Sequence, residues 1–208
     1  MKLVDISHVL DENTPVFPGD YKTALSIYAV IEKDFYNAHL LQTCLHTGTH
    51  IDMPMHLVED ERTVAQFPLD AFYGRGVLLD VRGENPITMK PIYKETVREH
   101  DVVLLFTGFD ANYGKDEYFT EHPAVSDELA DFLLSRRIKI LGMDMPSPDH
   151  PPYKFHRELL KAGILVLENL TNLQSMTGVG SFEVMALPIK IEAEASFVRA
   201  VCVTDNFR

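Results

Sequence analysis

The chain has 208 residues, 46% of them apolar and 24% charged, with a net charge of −12. That is ordinary globular composition, long enough for one large domain, and it excludes a disordered majority. So acidic a chain also excludes nucleic acid and anionic membrane as partners, because phosphate binding needs clustered Lys and Arg.

Residues 2–8 read as a first strand, and DENTPVFPGD (11–20) reads as a loop, since it holds two prolines and a glycine. MKLVDISHVL lacks the long apolar run of a signal peptide, and no run approaches the ~20 apolar residues that span a bilayer. A cytoplasmic protein is expected. TALSIYAVIEKD (23–34) and AHLLQTCLH (38–46) read as a strand pair. AQFPLDAFYG (65–74) resembles a short helix, GVLLDVRG (76–83) a strand, and residues 88–99 a helix. VVLLFTGF (102–109) and IKILGMD (138–144) are continuous apolar runs of the kind that form strands buried on both faces. Between them SDELADFLLSRR (126–137) is helical, with Ser126 placed to cap it. FHRELLKAG (155–163) is a short helix ended by Gly163, and ILVLENL (164–170) is the strand that follows. Residues 182–205 alternate like antiparallel strands. No shift in composition marks a boundary, so the expectation is one mixed α/β domain over residues 1–208. The two cysteines, Cys44 and Cys202, sit in apolar settings and are expected to be buried thiols; no C-x-x-C pair exists.

The segment HTGTHIDMPMH (46–56) crowds three of the nine histidines and an aspartate into eleven residues. The spacing His46, His50 suits a helical zinc motif, but Gly48 and the flanking threonines disfavour helix, Pro54 follows closely, and the glutamate of that motif is missing. On an extended chain, positions 46, 50, 52 and 56 all face one way. A straight strand would still hold His46 and His50 about 13 Å apart, so the chain must bend between them. Gly48 can take the unusual backbone angle, and Pro54 stiffens the exit toward His56. Two histidines and a carboxylate suit zinc or a similar divalent ion, and the two oxygens of Asp52 could bridge a pair of ions. Further ligands must come from elsewhere. His156 and Glu168 are the candidates, because a helix and an antiparallel return strand would carry them to the same end of the domain. Asp144, where a strand exits into a proline loop, reads either as a residue beside the site or as a loop cap. His100, His122 and His150 read as surface residues. No G-x-S-x-G elbow supports a serine hydrolase, the H-x-E at His156–Glu158 lacks the P-C-x-x-C of zinc deaminases, and no Walker sequence exists.

His46, Gly48, Thr49, His50, Asp52, Pro54 and His56 match an H-x-G-T-H-x-D-x-P-x-H signature, and His156-Arg157-Glu158-Leu159-Leu160 matches a later H-x-x-L-L element followed by L-E-N-L around Glu168. With DISHVL, TPVFPGD, MDMPSPD and ALPIKIE in order, the chain resembles the cyclase family of metal-dependent hydrolases, and within it the bacterial kynurenine formamidases (arylformamidases). The resemblance implies a swivelling β/β/α fold, a homo-oligomer (dimer or tetramer), a small-molecule amide substrate, and two divalent metal ions, zinc or alternatively manganese. It implies that His46, His50 and Asp52 bind one metal, that Asp52 and Glu168 are shared, that His156 completes the ligands of the second metal, and that His56 is the acid/base. It also implies that Phe17 lines the substrate pocket, where kynurenine formamidases tend to carry tryptophan. Phenylalanine keeps an apolar face there but lacks the indole N–H. Opening of a cyclic amide or lactone, and a non-catalytic metal-binding role, are the alternative readings.

Overall fold

The computed structural model describes residues 1–205. Its strands are β1 (Lys2–Asp5), β2 (Ala24–Ala29), β3 (Ala38–Gln42), β4 (His50–Asp52), β5 (Tyr73–Asp80), β6 (Val102–Phe106), β7 (Ile140–Met143), β8 (Leu165–Glu168), β9 (Glu183–Met185), β10 (Ala195–Phe197) and β11 (Val201–Thr204). Its α-helices are α1 (Ile31–Asp34), α2 (Tyr93–Thr96), α3 (Asp127–Ser135) and α4 (Lys154–Lys161). Nine strands form one mixed sheet in the order β1-β11-β9-β5-β6-β7-β8-β4-β10, while β2 pairs with β3 in a separate ribbon. The continuous apolar runs make the parallel centre, β5 to β8. The outer strands are antiparallel. This is the mixed α/β architecture that the sequence implies.

The centre reads as unbroken apolar sequence because both of its faces are covered. Val102, Leu104 and Phe106 enter one core with Ile51, Leu167 and Cys202. Val103 and Leu105 enter the other, against Leu129 and Leu133 of α3 and Leu159 and Leu160 of α4. Each such side chain contributes roughly 1.5–3 kcal/mol on burial. Gly142 permits the close packing of this sheet, since a Cβ there would stand 2.6 Å from Leu104 Cδ2. Ser126 caps α3, its hydroxyl accepting from Leu129 N at 3.4 Å.

Some elements depart from expectation for local reasons. Residues 65–74 form no α-helix but two 3-10 turns, Val64–Gln66 and Leu69–Phe72, separated by Pro68, which has no N–H to continue a helix. The helix expected over 88–99 shortens to α2. Pro91 precedes it, and the Asp101 carboxylate takes the N–H of Arg98 at 2.7 Å beyond its end. The strand expected over 23–34 stops at Ala29 after a bulge and turns into α1. The first strand ends at Asp5, leaving Ser7 a single bridge to Leu170.

For the site, the decisive placement is β4 inserted antiparallel between β8 and β10. The register sets His50 opposite Glu168 and Asp52 opposite Val166.

Candidate metal centre

Gly48 adopts φ 64°, which bends the chain between His46 and His50. His46 therefore lies in the turn ahead of β4, and His50 and Asp52 share one side of the strand. Pro54 opens a 3-10 turn, Pro54–His56, and carries His56 back over the site. The first N–H groups of α4 are held by the Asp149 carboxylate, which accepts from Phe155 N at 2.7 Å and His156 N at 3.4 Å. Gly163, at φ 78°, reverses the chain into β8. His156 Nδ1 thereby comes within 3.7 Å of Glu168 Oε1. The five residues expected as ligands, together with His56, are brought to one place.

Asp52 is the hub. Its Oδ1 stands 2.9 Å from His46 Nδ1 and 3.4 Å from His50 Nε2, and its Oδ2 stands 3.2 Å from His156 Nε2. His50 Nε2 is also 3.4 Å from Glu168 Oε2. Two donors on one tetrahedral divalent ion stand about 3.4 Å apart. Hydrogen bonds on the far side of two rings set their tautomers. His50 Nδ1–H donates to Gly48 O at 2.9 Å, and His46 Nε2–H donates to Glu194 Oε1 at 3.2 Å. In the neutral rings, His50 Nε2 and His46 Nδ1 then present lone pairs toward carboxylate oxygens. A lone pair facing an anion at that distance is repulsive unless a cation lies between them. His50 Nε2, both Asp52 oxygens, His156 Nε2 and Glu168 Oε1 are buried without a hydrogen-bond partner. His50 and Asp52 are only 1% and 0% exposed. Such unsatisfied polar atoms are costly, and coordination of a cation answers all of them together. The residues fit a divalent metal centre.

The electrostatics agree. Burial works to raise the Asp52 pKa, but the surrounding imidazoles hold it well below the usual carboxylate value. Burial raises Glu168, and the neighbouring Asp52 charge adds to that while His50 and His156 oppose it. Burial opposes protonation of His46, but Asp52 and then Glu168 outweigh it and lift the ring to about 10. The same contest raises His156. These protons answer the field of two carboxylates packed out of water, a field that a divalent cation answers by replacing them. His56 behaves differently. Burial lowers it to about 4; Asp52 opposes the shift, while His46, His156 and His50 deepen it, so the ring is neutral at pH 7. A cation nearby acts in the same direction.

The geometry leaves a second role open to His56. Its ring lies 4.1 Å from that of His46, and it can join His46 and Asp52 around one ion as readily as His50 and Glu168 join Asp52 around another.

A cavity of about 320 Å³ opens onto the centre, bordered by His46, His56, His156 and Glu168 and walled by Phe17, Phe119, Leu57 and Tyr153. Phe17 packs edge-on against Phe119, with ring centroids 5.7 Å apart. Two expectations need correction. Cys44 is half-buried and borders the cavity, because the strand expected to carry it inward ends at Gln42; Cys202 alone is buried. His122 is not a surface residue. It is 3% exposed, stacks on His150 at 4.1 Å and forms part of the cavity wall. His150 is half-buried and donates to His122 O, whereas His100 is exposed. Asp144 caps the loop after β6, accepting from Thr107 N, Thr107 Oγ1 and Gly108 N, while burial lifts its pKa to about 6.

Sequence reasoning missed Asn169, Glu194 and Asp149. Asn169 Nδ2 donates to Gly48 O at 2.9 Å and its Oδ1 accepts from Tyr118 at 2.9 Å, tying the histidine loop to the end of β8. Its one signal was a polar residue inside the apolar run ILVLENL. Glu194 and Asp149 act on residues far along the chain or across a proline loop, and no local pattern marks them.

Residues 4–150 match the putative cyclase family. A kynurenine formamidase of Bacillus cereus is 32% identical over 204 residues, covering 95% of each chain. Among solved structures, isatin hydrolase A from Labrenzia aggregata, bound to benzyl benzoate, superposes with a TM-score of 0.86 over 99% of this chain and 94% of that one. At 23% identity that likeness shows a shared fold. A protein described as a potential metal-dependent hydrolase with cyclase activity superposes with a TM-score of 0.79 at 25% identity, covering 99% of both chains.

Proposed function

The chain belongs to the putative cyclase family, and on that footing we propose that it is a metal-dependent amide hydrolase, with arylformamidase activity in the lead: N-formylkynurenine and water give kynurenine and formate. The observation that carries this reading is the buried set of His50, Asp52, His156 and Glu168 atoms without hydrogen-bond partners, of which His156 and Glu168 border an aromatic-walled cavity. Similarity to kynurenine formamidases over 95% of the chain supports the substrate.

We assign His46, His50, Asp52, His156 and Glu168 to hold two divalent ions, with zinc ahead of manganese for an imidazole and carboxylate donor set. When bound, such ions lower the pKa of water toward ~7 and polarise a carbonyl oxygen. The remaining work falls to the chain. Phe17 and Phe119 offer apolar faces to the aryl group. His56, neutral and bordering the cavity, takes the proton lost by water as oxygen bonds to the formyl carbon, then returns it to the nitrogen as the C–N bond breaks. Glu194 and the Gly48 carbonyl keep His46 and His50 in the tautomers a ligand needs. The reading includes a cytoplasmic setting, where free Cys44 and Cys202 stay reduced, and a homo-oligomer. Among the described residues no helix is long and apolar enough to cross a membrane.

Metal analysis joined to a hydrolysis screen tests the proposal. Two ions per chain with turnover of N-formylkynurenine is the expected result. Turnover restricted to a cyclic amide or lactone would favour the second reading, which the fold shared with isatin hydrolase supports. An ion-free protein after purification without chelator would sink the mechanism. His56→Ala should keep the metal and lose turnover by at least ~100-fold. If it empties a site instead, His56 is a ligand.

A further inference from the structure

Not every buried polar atom without a partner belongs to the metal donor set. Ser147 is 7% exposed, its Oγ has no hydrogen-bond partner, and it borders the cavity. A hydroxyl has no place among the imidazoles and carboxylates that would hold the ions, so a cation at the centre leaves it unanswered. A buried hydroxyl without a partner is costly. His122 borders the same cavity. Its Nδ1–H donates to Pro123 O at 3.2 Å, so Nε2 carries the lone pair. Burial, deepened by the His150 imidazole, lowers the ring to about 4, which keeps it an acceptor at pH 7.

The two side chains come from two loops that are tied together. Val125 N donates to Pro148 O at 2.9 Å, and His150 Nε2–H donates to His122 O at 3.0 Å. Asn169 N donates to Met145 O at 3.2 Å, which fastens the Ser147 loop to the end of β8. A pocket orients its ligand by a few placed polar groups among apolar walls, and groups held in advance do so at least cost. Charge says what suits this pair. Asp20 is exposed and borders the cavity, and no lysine or arginine does so among the described residues. An acceptor imidazole, a hydroxyl and a carboxylate together suit a ligand group that donates hydrogen bonds and carries positive charge, which is a primary ammonium.

We propose that Ser147 and His122, with the Asp20 carboxylate, form a subsite for a primary amino group that the substrate carries away from the bond to be cut. The assignment rests on the amide-hydrolase reading of the same cavity and adds to it the residues that select among aryl amides. His122 Nε2 and Ser147 Oγ each accept one N–H of the ammonium, and Asp20 contributes charge. No bond is made or broken there, so the pair determines specificity and takes no part in the chemistry.

Two substrates that differ only in that group test the subsite: N-formylkynurenine and its desamino analogue, each given to the metal-loaded full chain. The parent should favour the amino substrate in kcat/KM by roughly tenfold or more. Ser147→Ala and His122→Phe should each bring that ratio toward one, chiefly by raising KM for the amino substrate. A parent without preference would overturn the proposal. So would variants that slow both substrates alike, which is what a merely structural role would give. Should His122→Phe misfold by far-UV circular dichroism, Ser147→Ala, which removes a single buried oxygen, decides alone. If the parent cleaves neither substrate, the hydrolase reading falls, and equilibrium dialysis with kynurenine and desaminokynurenine decides the subsite. Tighter binding of kynurenine that Ser147→Ala abolishes would uphold it, and equal binding of the two would overturn it.

Discussion

Asn169 does more for the centre than a neutral side chain next to Glu168 would suggest. It sits at φ 54°, a left-handed conformation that Asn tolerates better than most residues. Its amide reaches Gly48 O, its Oδ1 takes the Tyr118 hydroxyl, and its backbone carbonyl accepts from Thr49 Oγ1 at 2.6 Å. Asn169→Ala would leave the buried Tyr118 hydroxyl without its acceptor. Urea unfolding should show a loss of about 1–3 kcal/mol, and competition with a chelator should show metal affinity down about 10–100-fold. Unchanged affinity would mean that Gly48 O holds His50 without help. At this scale the sequence was legible where chemistry is local. His46, His50, Asp52 and His56 announce themselves by crowding in one segment. Asn169 does not, since its contacts reach about 120 residues back, and His122 was misread because H-P in a polar stretch looks like surface.

Between elements, the loop ahead of α3 and the loop ahead of α4 meet through His122 and His150. Burial first, then the neighbouring His150 imidazole, lower His122 to about 4. Its Nδ1–H donates to Pro123 O at 3.2 Å, which suits the neutral ring. In the unfolded chain the group titrates near 6.5. Below that pH the unfolded state takes up a proton that the folded state refuses. The stability tied to neutral His122 is therefore full above about pH 6.5 and is lost as pH falls toward 4, on the order of 3 kcal/mol in all. Urea midpoints measured between pH 7 and 4 should decline less steeply in His122→Gln than in the parent; parallel declines would show that the pair does not govern acid sensitivity. Element type was legible where runs were long. The strands at 102–106 and 140–143 are apolar throughout because two cores press on them, whereas the stretch at 65–74 carried an apolar pattern that Pro68 cut into separate turns.

For the whole molecule, the frame and the centre draw on different sources of stability. Two apolar cores on opposite faces of the sheet carry the fold, while the centre buries Asp52 and Glu168 at a cost. Chelation should therefore lower the melting temperature without unfolding the chain. Loss of an ion present at a hundredfold over its dissociation constant removes about 2.7 kcal/mol, or roughly 5–10 °C for a chain of this size. Far-UV circular dichroism at 25 °C should stay as it was, and a chelated chain that unfolds outright would show that the ion holds the fold.

The pairing of β4 with β8 sets an order of events. Backbone hydrogen bonds alone make His50 and Glu168 neighbours, through the register His50↔Glu168. The part of the donor set carried by β4 and β8 is thus in place when the sheet is, with His46 brought in by the turn ahead of β4 and His156 by α4, unlike a zinc finger, whose ligands gather only around the metal. On the metal assignment proposed above, an ion would join a frame already built, so one ion could be exchanged for another without any strand letting go. Which ion the protein carries then depends on what its surroundings supply, because divalent ions compete for a nitrogen and oxygen site by affinity and abundance together. A preparation grown in a different metal would be the same fold with a different reactivity.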